Sequence, residues 1–470
     1  MGTGDDQYYV VCSICHRPSP ASRFLCQYCW SRLQSDVKIS KAKADEVMRQ
    51  WEKRAKQKKK IRRIFTAAGA GVLAAALVVA FLYNYTDTLQ VPSPTLNSNP
   101  ADGQWSMFRH DLLHSGATGN NSMLPQGQVQ WTFTTKRPIY SSPTVVDGIV
   151  YFGSEDGTLY ALDAVSGNEV WEYPTGVMID SSPTVVDGIV YFGSHDGNLY
   201  ALNSHTGKIV WDFFTIYPVD SSPAVAGGVV YFGTGDCHLY ALNSLTGKKL
   251  WAFKVGDPVY ISPVVANGIV YFGSGDSWMY ALRADNGQFR LHYKTYVKDS
   301  SPAMSGKTVY FGDQIGNLWA INGQARSWFD ENQLEPVWLQ LWAMGVAPKP
   351  PPLSGSLWGY HIGQNQIGSS PAIMNSKLFV GVDNNLVAVD LANGKPLWSL
   401  QTGDFVKSSP VVAGNTIYIG SDDGKVYAVD ATSGQEIWHI TTGDKVESSP
   451  ALADGILYVG SFDGKLYAIK

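Results

Sequence analysis

"SSPTVVDGIVYFGS", residues 141–154, returns letter for letter at residues 181–194. A fixed period of roughly 20–50 residues marks a repeat architecture, in which each copy buries its apolar face only against its neighbours. The serine just before the proline locates the other copies: Ser142, Ser182, Ser222, Ser262, Ser301, Ser370, Ser409 and Ser449. These eight markers stand 39 or 40 residues apart, except for one step of 69, so one copy carries an insertion.

In the first copy "SPTVV" reads as strand A, Asp147-Gly148 as a turn, "IVYFGS" as strand B and Asp156-Gly157 as a second turn. "TLYALD" is then strand C, and "AVSG" turns into strand D, "NEVWEY". Asp-Gly between alternating apolar residues is a strong hairpin signal. Four antiparallel strands per copy, eight times over, predict an all-β fold, an eight-bladed β-propeller. The last copy stops at Lys470 after strand C. Its missing strand is expected at "QVQWTFTT", because Trp131 precedes Ser142 by the same eleven residues that separate Trp171, Trp211, Trp251, Trp398 and Trp438 from their own next markers. Such a splice closes the ring and leaves no open sheet edge at a seam.

The invariant letters have packing reasons. Strand A would line the channel with one unpaired edge, where proline is tolerated. Strand C carries Ala161, Ala201, Ala241, Ala281, Ala320, Ala388, Ala428 and Ala468, small residues that leave room for the strand D tryptophan. "LYALDAVSGNEVW" and its copies resemble the tryptophan-docking motif of pyrroloquinoline-quinone-like (PQQ-like) propeller repeats, and "WSMFRHDLLHSG" at 105–116 resembles the opening segment of bacterial members. The resemblance covers 105–470. It implies the fold firmly and the function weakly, since the family includes quinone-dependent dehydrogenases, outer-membrane assembly scaffolds and sensor ectodomains.

Charge divides the chain. Residues 1–64 hold 15 Lys and Arg against 6 Asp and Glu, whereas the remainder holds 21 against 34. Between these parts, residues 64–86 are uncharged and predominantly apolar for 23 residues, long enough for a membrane-spanning helix. The basic run "KQKKKIRR" precedes this span, so the positive-inside rule puts the N-terminus in the cytoplasm and the propeller outside, with the span as an uncleaved signal anchor. The expected order is a cytoplasmic segment at 1–35, a basic juxtamembrane helix at 36–63, the span at 64–86, a linker at 87–104 and the propeller at 105–470. The basic segment could meet anionic lipid or nucleic acid; lipid and topology account for it, and no nucleic-acid partner is expected.

Cys12, Cys15, Cys26 and Cys29 form two C-x-x-C knuckles ten residues apart, which resembles a short zinc ribbon and predicts four thiolates on one Zn²⁺. A segment this short builds little core, and metal binding would offset the deficit. "CSICH" also matches a c-type haem attachment with His16 as ligand, but haem would leave the second knuckle unexplained. Disulfides are disfavoured in a reducing compartment.

Departures from the repeat locate candidate binding residues. Blades 3 and 4 replace the turn glycine of the B–C loop by Cys237 and Ser277, beside Asp236, His238, Asp276 and Trp278. The D–A loops on the same face contribute Tyr217, Tyr260 and Tyr296, giving a candidate recognition patch. The insertion, at 323–355 between strands C and D of blade 5, carries Trp328, Phe329, Trp338 and Trp342 and emerges on the opposite face, as a lid or as a surface for a partner or membrane. His110 and His114 flank Asp111 four residues apart, a spacing that could ligate metal on a helix.

Enzymes of the resembling family hold their quinone under a pair of adjacent cysteines with Ca²⁺ nearby. This propeller has the single Cys237 and lacks long inter-blade insertions, so bound PQQ and catalysis are not expected. The expected function is a non-catalytic, membrane-anchored extracytoplasmic scaffold with a protein or cell-envelope partner. The alternatives are a transmembrane sensor whose ribbon meets a cytoplasmic partner and, more remotely, a quinoprotein-type oxidoreductase.

Overall fold

The computed structural model describes residues 8–33, 38–85, 104–118, 124–297, 299–327, 331–350 and 352–470. The chain divides into two compact units, Met1–Val91 and Pro92–Lys470.

In the first unit, strands Tyr9–Val11 and Pro18–Pro20 pair antiparallel, with Tyr9 opposite Pro20. They lead into helix α1, Lys41–Tyr85, 45 residues without a break. The Arg17 guanidinium lies 3.5 Å from the ring centroid of Trp51 on α1, a cation–π contact that docks the strands on the helix. Most side chains of 64–85, and all of Thr86, lie outside the described residues; among the described residues no helix is long and apolar enough to cross a membrane.

The second unit is an eight-bladed propeller of antiparallel four-stranded sheets, one of them extended to five strands where Ala117–Thr118 pairs parallel with Val411–Ala413. Blade 1 runs Thr144–Val146, Ile149–Gly153, Thr158–Asp163 and Glu169–Pro174, as strands A to D. Blade 8 takes its strand D from the other end of the chain: Val129–Thr134 pairs with Lys465–Ile469, with Trp131 opposite Ala468. The same Trp–Ala register recurs at Ala161/Trp171, Ala201/Trp211, Ala241/Trp251, Ala320/Trp358, Ala388/Trp398 and Ala428/Trp438.

Docking runs between blades. Trp171 Nε1 donates to the Ser204 carbonyl in the C–D turn of blade 2 (2.8 Å), and Tyr151 of strand B donates to the same oxygen (3.2 Å). The indole covers the turn glycine, Gly207 (φ +65°), where any Cβ would stand 2.8 Å from the ring. Blade 4 has Leu291 in place of the tryptophan, and its neighbour is the blade whose C–D turn is replaced by the insertion. The docking residue is lost where its receptor turn is lost.

At the centre the eight marker serines form a closed chain of hydrogen bonds. Each backbone N–H donates to the Oγ of the next marker, at 2.9–3.2 Å, and the last, Ser449, donates to Ser142. This gives a physical reason for a small hydroxyl residue at every marker: a larger side chain would not fit, and alanine could not accept the bond.

Candidate functional site

One end of the channel is plugged by the chain itself. Residues 105–118 wind along the free edges of the inner strands. Trp105 pairs with Val145; Val185, Val265, Met304, Ile373 and Val412 donate backbone N–H groups to Ser106, Leu112, Leu113, Ser115 and Gly116. Arg109 is buried inside the plug and donates to the carbonyls of Pro371 and Pro410, tying blades 6 and 7 together. Burial lowers its guanidinium to about 9. The plug backbone is a series of turns rather than a helix, with His110 and His114 at φ +79° and +50°; His114 is buried edge-on against Phe108. The spacing of the two histidines therefore lacks the helix a metal reading needs.

Above the plug lies a chamber of ≈ 310 Å³ lined by Phe108 and the marker serines. Its rim is set by the residue two before each marker: Tyr140, Asp180, Asp220, Tyr260, Asp299, Gly368, Lys407 and Glu447. Asp180, Asp220, Lys407 and Glu447 of the rim are held by one another or by the adjoining B–C loops. His195, from the B–C loop of blade 2, lies 3.0 Å from Asp180 and 2.8 Å from Asp220. Hydrogen bonding of the imidazole to these two carboxylates raises its pKa to about 10, which keeps it protonated. Lys407 sits 3.0 Å from Asp422 and 2.7 Å from Glu447.

A second recess, a groove of ≈ 750 Å³ over blades 5 to 7, was not singled out from the sequence. Gln314, Gln364, Asn365, Gln366, Asp383, Asp404, Phe405 and Lys445 line it, and it shares Gly368 and Lys407 with the chamber. Its cause is local. In most blades the B–C aspartate accepts from the strand C tyrosine, as Asp156 does from Tyr160 (3.0 Å) and Asp463 from Tyr467 (2.6 Å). Blade 6 has a two-residue B–C turn, Asp383-Asn384, and Val387 in the tyrosine's place, so this wall is lower. Gly368 leaves a gap in the rim beside it. The signal was present in "VDNNLVAVD", which departs from "SEDGTLYALD" by one missing residue and the lost tyrosine.

The residues of the predicted patch fall in several places. Asp236 and Asp276 accept from Tyr240 (2.7 Å) and Tyr280 (2.8 Å), the same latch as in other blades. Cys237 and Ser277 hold the left-handed turn position, at φ +65° and +71°, that glycine holds elsewhere. Burial and nearby aspartates push the Cys237 thiol up, away from a reactive thiolate. His238 Nδ1 lies 3.1 Å from Asp236, and Trp278 stacks on His292 with centroids 4.6 Å apart. Tyr217 and Tyr296 are exposed loop residues, whereas Tyr260 belongs to the chamber rim. In the insertion, Trp328 and Phe329 lie outside the described residues; Trp338 and Trp342 lie on helix α2, Glu331–Ala343.

In the first unit the four N-terminal cysteines converge, with their sulfurs all within 4.8 Å of one another. Cys12 and Cys29 are 3.6 Å apart and Cys15 and Cys26 3.5 Å apart, too far for disulfides. The two knuckles share one backbone form: Cys12 and Cys26 donate to Arg17 and Ser31, and His16 and Trp30, at φ +58° and +60°, donate back to Cys12 and Cys26. Burial opposes ionisation of Cys12, but the Cys15 and Ile14 amides and the Ser31 hydroxyl lower its thiol to about 6. Such a cluster can hold a metal ion.

No curated protein matches the chain. A family model described as outer membrane protein assembly factor BamB matches residues 122–218, 215–335 and 329–470. Among solved structures, BamB from Moraxella catarrhalis is 17% identical, with 73% of this chain and 97% of that chain covered and a TM-score of 0.57. A europium-containing methanol dehydrogenase is 16% identical over 78% of this chain and 92% of that one, with a TM-score of 0.61. The quinohemoprotein alcohol dehydrogenase from Comamonas testosteroni is 15% identical over 79% and 81%, with a TM-score of 0.63. At these identities the likeness to solved structures shows the propeller fold alone.

Proposed function

The chain belongs to the family described as outer membrane protein assembly factor BamB, and from that premise we propose that it is a non-catalytic binding or assembly scaffold. The apolar stretch 64–86 anchors it in a membrane, and the propeller stands outside the cytoplasm. One observation carries the non-catalytic reading: the polar groups best suited to chemistry at the recess are already committed. His195 is protonated between two carboxylates, and Lys407 is held by two more. A general base needs a free lone pair, and this imidazole has none to offer. What the groove offers a visitor is shape, the carboxamides of Gln314, Gln364, Asn365 and Gln366, the charged groups of Asp383, Asp404 and Lys445, and the half-exposed ring of Phe405. That lining suits recognition of a protein or cell-envelope partner.

The cysteine cluster fits Zn²⁺. Four thiolates about 2.3 Å from a central ion have tetrahedral edges of about 3.8 Å, close to the 3.6 Å of Cys12–Cys29 and the 3.5 Å of Cys15–Cys26. A closed four-thiolate site is structural. A second reading, a sensor whose ribbon meets a cytoplasmic partner, is favoured by Ile14, Phe24 and Trp30, which are exposed on the ribbon.

The test combines two assays on the full-length chain. A photo-crosslinking residue at Phe405 should capture a defined partner in the cell envelope, and Gln364→Ala with Gln366→Ala should weaken that capture. Alcohol-dependent dye reduction in the presence of PQQ and Ca²⁺ should stay at background; turnover would overturn the non-catalytic reading. A reporter fused after Lys470 should work only outside the cytoplasm.

A further inference from the structure

The insertion presents an apolar surface that the propeller does not cover. Helix α2 is held to the rest of the insertion: Glu331 is buried in its first turn and accepts the Ser354 backbone N–H, and Trp338 Nε1 donates to the Pro348 carbonyl of the returning segment (2.9 Å). Beyond that root, Val337 is 53% exposed, Trp342 45%, Met344 71% and Val346 70%, with Leu334, Leu339 and Leu341 also exposed. From Glu331 to Lys349 the ionisable residues are Glu331, Glu335 and Lys349 alone.

The exposed apolar residues do not form one stripe. Positions 337, 339, 341 and 342 point to different sides of the helix. A groove on a protein partner reads a narrow stripe, whereas here Val337, Leu341, Trp342 and Leu339 spread over about half the circumference, with Gln340 on the remaining side, a breadth that suits a helix lying in the boundary of a bilayer. Tryptophans at such a surface favour the boundary between water and hydrocarbon.

The path of the chain supports this. The insertion leaves its blade between strands C and D, on the face of the A–B and C–D turns. Gln104, the first described residue of the propeller unit, bonds Asp147 in an A–B turn of that same face (2.9 Å). Residues 87–103 link it to the apolar stretch and reach at most about 60 Å when fully extended. We propose that α2 and the segment to Val346 are a lipid-contact surface that seats this face of the propeller on a bilayer. The path argument rests on the reading that 64–86 spans the membrane.

The propeller unit, Pro92–Lys470, contains its own core, plug and closing strand, so it can be tested without the anchor. It should float with vesicles of zwitterionic phosphatidylcholine. Leu341→Glu and Trp342→Glu should each cut partitioning about tenfold or more, with unchanged melting temperature. Phe214→Glu, at a still more exposed apolar residue at the other end of a strand D, should not. Raised salt should leave binding unchanged, since few charges take part. The proposal is overturned by absence of flotation, or by flotation that Trp342→Glu leaves intact. It is also overturned if the unit forms a dimer in the absence of lipid that Trp342→Glu dissolves, which would make α2 an interface between copies. Because the anchor is absent from this assay, a failed topology reporter and a failed flotation remain separate results.

Discussion

Trp438 donates from its indole Nε1 to the carbonyl of Pro125, 3.1 Å away and 313 residues earlier in the chain. It covers Gly127 (φ +82°) as Trp171 covers Gly207. Pro125 to Gln128 thus imitate the C–D turn that blade 8 lacks, and Gln128 and Lys470 exchange backbone hydrogen bonds where the covalent turn would be. Across the next boundary Trp131 and Tyr458 both donate to the Ala164 carbonyl (3.1 and 2.9 Å), the pairing Trp171 and Tyr151 make with Ser204.

Deleting 124–134 should remove this imitation and expose strand C of blade 8. A free, half-apolar edge pairs with other chains, so the variant should aggregate in light scattering. Trp171→Ala should cost about 3–5 kcal/mol in thermal unfolding while the ring stays closed and monomeric. A monomeric deletion variant that melts like the parent would refute the closing strand. Gly127→Ala, which forces a left-handed residue against the Trp438 ring, should cost about 2 kcal/mol.

Arg109→Ala should be severe. It orphans the Pro371 and Pro410 carbonyls and empties the space that Gly116 now keeps clear for the guanidinium. About 3–5 kcal/mol is expected. Arg109→Met keeps the volume and removes a buried cation, so it should cost clearly less. Equal loss of melting temperature in both variants would count against this account.

His195 makes stability depend on pH in the alkaline direction. Its folded pKa, about 10, lies above the ordinary 6.5. The ion pairs therefore contribute fully below about pH 6.5 and fade as pH rises through about 10. His195→Gln should flatten the fall in melting temperature over that window. A parent protein whose stability is level from pH 7 to 10 would contradict the assignment.

The first unit should take up one Zn²⁺ per chain. Cys12→Ser and Cys29→Ser should abolish uptake, Cys237→Ser should not, and chelation should loosen the ribbon alone. Elemental analysis with circular dichroism reads both; iron, haem or no metal in the purified chain would be the wrong result.

What could be read from sequence was what repeats. Marker serines, docking tryptophans and the orphan strand at Trp131 each obey a rule stated many times over, so blade count and closure were legible. The candidate site was less so, because it arises where rules lapse together. The missing residue at Asp383-Asn384, Val387 for tyrosine and Gly368 in the rim are separate small departures that only the fold brings side by side. His195 was visible as a turn residue; its two carboxylates come from D–A loops of neighbouring blades, 15 and 25 residues away in sequence. The plug was recognised as an opening segment, but its run of turns along the inner strands of six blades could not be read from it.

The order of elements also has a mechanical side. A pull on the propeller from its N-terminal side meets residues 105–118 before it meets the closing strand at Val129–Thr134. That segment is bonded to inner strands of six blades, so tension is spread over most of the ring and the unlinked seam is shielded. A propeller tethered directly through its closing strand would unzip at its weakest joint; this one must first give up its plug.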